Sequence, residues 1–140
     1  MKYRCKIVRF EPFDEYQTLV EIKISDTDIL ALSPIPYDDA KSIYRDNSIN
    51  ELDIYVFSSN IVLDESTSEY LLIDGNSVLF TGNICEIYCN ELFRVKSKSF
   101  NFDIWSLVEF DPNIGKKIIC KGSFEVFPVE GKWGVDSCWL

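Results

Sequence analysis

Histidine is absent from the 140 residues. One absence removes the usual general base at neutral pH, the usual activator of a nucleophilic cysteine and the commonest metal ligand. Carboxylates can still perform acid–base chemistry, but no pair of them stands out, and a hydrolase or a zinc enzyme is disfavoured. Basic residues are scarce in one region. From Glu11 to Gly75 only Lys23, Lys41 and Arg45 stand against fifteen acids, a local charge of −12 in a chain whose total is −9. Long apolar runs are also missing. Nothing approaches the roughly eighteen consecutive apolar residues of a membrane span. The N-terminus alternates charged and apolar residues and lacks the apolar run and small-residue cleavage site of a signal peptide. A cytoplasmic location follows as the expectation, with no membrane partner. There is no glycine-rich phosphate loop, no Gly-x-Ser-x-Gly elbow and no helical repeat.

What is present is material for a core. Hydrophobic residues make up 46% and aromatics 14% of the chain, enough for one ordinary domain over residues 1–140. The dominant pattern is alternation with period two, the mark of half-buried strands. Tyr3, Cys5 and Ile7 oppose Arg4 and Lys6; Thr18, Val20, Ile22 and Ile24 oppose Leu19, Glu21 and Lys23. Pro12 and Asp14 suit a turn between these two runs, making a hairpin. Further strands are expected at 28–33, 52–58, 69–73, 77–89, 91–99, 102–110 and 116–128. Gly82 suggests a bulge. A last strand would carry Trp133, Val135 and Trp139. The fold class is mainly β: a β-sandwich or partly open β-barrel of about ten short antiparallel strands.

One stretch reads as helix, near 38–46. Asp38 and Asp39 suit its N-terminus through capping and the macrodipole, and Ala40, Ile43 and Tyr44 share a face. A weak internal duplication, roughly 1–64 and 77–128, is suggested at an offset of 75 by Val20 and Val95, Asp28 and Asp103, Ile29 and Ile104, and Leu32 and Leu107.

Candidate chemistry is thin. The five cysteines (Cys5, Cys85, Cys89, Cys120, Cys138) are an odd number spread along the chain, best read as free thiols. Cys85 and Cys89 lie about 13 Å apart on a regular strand, too far to share a metal unless a bulge intervenes. They are expected as small core residues. Asp26-Thr-Asp28 and the Asp64–Glu69 segment lack the glycine-centred spacing of an EF-hand. No metal and no cofactor are called for. Arg94, Lys96 and Lys98 alternate along one strand near Phe93 and Phe100, the pattern of single-strand nucleic-acid binders. The net charge opposes phosphate; the bases are equally explained as the wet side of the strand, and pairing with the acidic block or protection of a sheet edge is favoured over nucleic acid.

The leading expectation is a non-enzymatic protein-binding module whose acidic region captures a basic protein partner. An immunity or antitoxin-type inhibitor of a toxin is the concrete form. Several acids are explained by turns, so the partner-binding candidates narrow to Asp38, Asp39, Asp46, Glu51 and Asp53, with Tyr37 and Tyr44 as aromatic anchors. The alternative is a small-ligand or carbohydrate-binding barrel or sandwich with a mouth lined by Trp105, Trp133 and Trp139.

Overall fold

A computed structural model describes residues 2–66, 68–98 and 100–128. The chain is mainly β, with nine strands and one short helix among the described residues. In chain order these are β1 (Lys2–Pro12), β2 (Thr18–Ile24), β3 (Thr27–Ser33), α1 (Tyr37–Ala40), β4 (Ser48–Leu63), β5 (Leu71–Asp74), β6 (Ser77–Cys89), β7 (Leu92–Ser97), β8 (Phe100–Ser106) and β9 (Lys117–Pro128). The expected terminal strand with Trp133, Val135 and Trp139 lies outside the described residues.

The chain forms two compact units. Among the described residues the first comprises residues 2–54 and 124–128; the second is built of Tyr55–Ser123. Both divisions fall inside strands, β4 and β9, rather than in a linker, which is why composition shows no break there.

In the first unit β1, β2 and β3 form an antiparallel meander. The N-terminal half of β4 pairs antiparallel with β1, from Lys2 opposite Asp53 to Ile7 opposite Ser48. The C-terminal half of β9 runs parallel to β3, with Leu32 opposite Glu125. The strand order β1-β2-β3-β9-β4, returned to β1, closes a five-membered ring. Its interior is filled by alternate residues, among them Ile7, Val20, Ile22, Ala31, Ile54 and Val126.

The second unit follows the same plan. β6, β7 and β8 form the meander, β9 pairs antiparallel with β6, and β4 runs parallel to β8. Phe80, Ile84, Phe93, Val95, Ile104 and Cys120 fill its interior. β5 extends this sheet beyond β6. The two parallel pairings depart from the all-antiparallel expectation, because each closes a ring with a strand distant in sequence.

The ladders match in detail. A bulge falls between Ile7 and Arg9 in β1 and between Ile84 and Glu86 in β6. The two-residue turns β2–β3 and β7–β8 place Ser25 (φ 53°) and Lys98 (φ 50°) at equivalent left-handed positions. These turns fix the hairpin offset at 73, from residue 25 to residue 98, not at 75. A slip of two residues preserves which face each side chain takes, so hydrophobic alternation does not separate an offset of 73 from one of 75. At the bulge the equivalence carries an ion pair with its charges exchanged, Arg9–Glu21 in one unit and Glu86–Arg94 in the other.

Gly82 is not the bulge residue. A Cβ there would lie 2.7 Å from the Lys96 carbonyl oxygen, so glycine serves close approach of two strands. The helix is four residues, shorter than the expected 38–46. Hydrogen bonds continue the turn to Tyr44, whose amide donates to the Ala40 carbonyl, but Asn47 adopts φ 56° and swings the chain into β4. The cap residue is Pro36 and no side chain caps the helix, so Asp38 and Asp39 occupy its first turn instead. No helix among the described residues is long and apolar enough to cross a membrane.

Candidate functional site

The seven sequence candidates do not form one cluster. Asp38 and Asp39 are exposed on α1, and Asp38 pairs with Lys41 at 3.0 Å. Asp46 is exposed, and its carboxylate accepts a hydrogen bond from the Phe10 amide at 3.3 Å. That bond brings Asp46 to the C-terminal part of β1. The Phe10 ring lies 5.8 Å from Tyr37 and 5.9 Å from Tyr44. Around the half-buried Phe10 and Tyr37 stand three exposed carboxylates.

Glu51 and Asp53 go elsewhere. They sit opposite Arg4 and Lys2 on the β1–β4 ladder. Arg4 is six residues from Phe10, about 20 Å along a strand. Part of the −12 therefore faces the basic N-terminus in register.

Tyr44 is no exposed anchor. It is 1% exposed, its hydroxyl is 2.8 Å from Ser33 Oγ, and burial pushes its pKa up to about 12. The helical face that it shares with Ala40 is turned to the core.

Sequence reasoning passed over three aromatics near the first group. Phe10 is one. Phe13 and Tyr16, 56% and 72% exposed, flank Asp14 and Glu15 at the β1–β2 turn. The available signal was two large aromatic residues where a turn ordinarily carries small polar ones.

Cys85 and Cys89, expected as core residues, are not in the core. Cys85 is exposed and Cys89 half-buried, displaced by bulges on either side of Glu86–Ile87 in β6. Cys5 and Cys120 are the core thiols, pushed by burial up to about 11 and about 12, so neither is a thiolate at neutral pH. No group of three potential metal ligands occurs among the described residues.

The bases of the second unit are partly engaged. Arg94 forks onto Asp103, Nε to Oδ1 at 2.9 Å and Nη2 to Oδ2 at 3.5 Å, and also reaches Glu86. Lys117 donates to the Ser66 and Ser68 carbonyls and lies 3.6 Å from Asp64. Hydrogen bonds from Ser66, with Lys117 beside it, hold Asp64 below its ordinary pKa. Lys96 remains exposed.

Trp105 packs 5.5 Å from Phe57 and 6.4 Å from Tyr55 between ring centres. The other two tryptophans of the ligand-mouth alternative lie outside the described residues. A shallow depression of about 180 Å3 beside Arg4, Ile49, Asn50 and Glu51 is smaller than the few hundred Å3 of ordinary ligand sites.

Glu125 carries the other notable titration. Its Oε2 is buried with no hydrogen-bond partner among the described residues, and burial raises its pKa to about 7. Between pH 4.5 and 7 the folded chain holds a proton that the unfolded chain has released. Stability due to this group is full below that window and falls as pH rises through it. Glu125→Gln should leave the melting temperature unchanged near pH 4.5 and raise it by a few degrees above pH 7.5. A difference independent of pH in calorimetric melts would contradict this.

No family model matches the chain, and no curated protein and no solved structure is significantly similar to it.

Proposed function

We propose that the protein is a non-enzymatic binding module that captures a basic protein partner, in the manner of an immunity or antitoxin-type inhibitor of a toxin. The observation that carries this reading is the placement of exposed Asp38, Asp39 and Asp46 around the half-buried Phe10–Tyr37 pair. Aromatic surface provides contact area at small entropic cost, and an excess of carboxylate, with Lys41 beside Asp38 and 5.2 Å from the Tyr37 ring centre, favours a cationic partner over an anionic one. Glu51 and Asp53 take a lesser part, since Arg4 and Lys2 stand opposite them.

The test is affinity capture from the native host with washes at low and high salt. One predominant basic protein, released at high salt, is the expected result. Reversing Asp38, Asp39 and Asp46 to lysine should weaken its binding roughly a hundredfold, at tenfold per 1.4 kcal/mol. Reversing Glu51 and Asp53 should cost much less. Equal affinity for the wild type and the triple variant would sink the reading.

A further inference from the structure

Solvent-facing hairpin turns are ordinarily built from glycine, asparagine, aspartate and other small residues. The β1–β2 turn reads Phe13-Asp14-Glu15-Tyr16-Gln17 instead. Neither aromatic has entered the core, with Phe13 56% and Tyr16 72% exposed. The turn itself is held. The amides of Phe13 and Asp14 both donate to the Gln17 carbonyl, at 3.1 and 3.3 Å. The Asp14 carboxylate accepts from the Tyr16 amide at 2.8 Å, an Asx turn running from Asp14 to Tyr16.

The turn adjoins the surface already described. Pro12 pairs with Thr18 at the last rung before it. Thr18 Oγ1 donates to the Ile35 carbonyl at 2.9 Å, which ties the chain leading into α1 to the base of the hairpin. Phe10, three residues before Phe13, touches Tyr37. The tip thus stands roughly 10 Å beyond the Phe10–Tyr37 contact by strand rise.

We infer that the Phe13–Tyr16 tip is the apolar anchor of the docking surface, inserting into a recess ringed by arginine and lysine on the partner protein. The inference rests on the proposed function and adds the partner's surface chemistry to it. Charge selects the occupant: Asp14 and Glu15 lie between the aromatics, while Asp38 and Asp39 lie on the neighbouring helix. A purely apolar partner would have to desolvate those carboxylates without compensation. A cationic partner pairs them, and arginine planes also stack on aromatic faces.

The experiment is a titration of the isotopically labelled full chain, followed through its backbone amides. Three soluble peptides of equal length serve as probes: alternating arginine and leucine, alternating arginine and glycine, and alternating glutamate and leucine. The arginine–leucine peptide should bind most tightly and shift the amides of Phe13–Gln17 together with those of Tyr37–Asp39. Phe13→Ser with Tyr16→Ser should weaken it at least tenfold, toward the affinity of the arginine–glycine peptide. An unchanged amide spectrum away from the turn shows that the double variant is folded. If the arginine–leucine peptide loses affinity on reversal of Asp38, Asp39 and Asp46 but not in the tip variant, the anchor is refuted and the acidic surface stands. Tightest binding by the glutamate–leucine peptide, or no binding of the arginine peptides, overturns both.

Discussion

Gly122→Ala should destabilise the protein by about 3 kcal/mol or more, lowering the melting temperature by roughly 10 °C. An added Cβ at Gly122 would overlap the Phe57 carbonyl oxygen and lie 2.7 Å from Val56 Cγ1. The obstacle is mostly backbone. A side chain can turn to another rotamer, but a carbonyl in a ladder moves only if β4 and β9 separate. Ser58 Oγ bonds the Lys121 carbonyl at 2.7 Å one rung away, so separation also breaks that bond. Gly82→Ala meets a similar contact with Lys96 O and Val95 Cγ1 and should follow close behind. Gly115→Ala is the contrast: among the described residues nothing lies within 4 Å of the new atom, and φ +84° opposes it. Its cost should be about 1 kcal/mol, the ordinary penalty of a left-handed backbone. Chemical denaturation of the three variants measures the order; Gly115→Ala at least as damaging as Gly122→Ala would refute the packing argument.

Arg94→Ala should cost about 3 kcal/mol, the usual consequence of leaving one partner of a buried ion pair behind. Asp103 is 5% exposed, and Arg94 approaches it with two nitrogens. The guanidinium also lies 5.6 Å from the Tyr88 ring centre. Arg94→Lys should recover only part of the loss, because an ammonium cannot reproduce the fork. The double change Arg94→Met with Asp103→Leu should be less damaging than Arg94→Ala, since it removes both charges from the site. The solvent-exposed Arg9–Glu21 pair of the first unit provides the control. Arg9 and Glu21 approach to 2.6 Å, yet their side chains are 59% and 29% exposed, and solvent screens the pair. Breaking it should change stability little. Equal losses at the two positions would mean that burial is not what distinguishes them.

Much of the fold was legible because a strand with one wet face writes its burial into the sequence. Ser77–Cys89 was read to the residue, and the β1–β2 hairpin followed from Pro12 and Asp14. The helix was overextended because Ala40 and Tyr44 do share a buried face, while nothing in the pattern announces the left-handed Asn47 that stops it. The candidate site was legible in part. Asp38, Asp39, Asp46 and Tyr37 are brought near one another, but Tyr44 is buried, and Glu51 and Asp53 face Arg4 and Lys2. Cross-strand neighbours depend on register, which one-dimensional alternation leaves undetermined in steps of two.

By itself the sequence determined the class of the protein: a β-rich chain, acidic from Glu11 to Gly75 and without histidine. Alternation and composition are local properties, and each segment carries its own. Tertiary structure alone decided that β4 and β9 each contribute to two units and that the acidic block is divided. Those outcomes depend on which strands pair and in what register. They arise from non-local hydrogen bonds and packing, such as Leu32 against Glu125 and Tyr55 against Asp103, between residues that no local pattern connects.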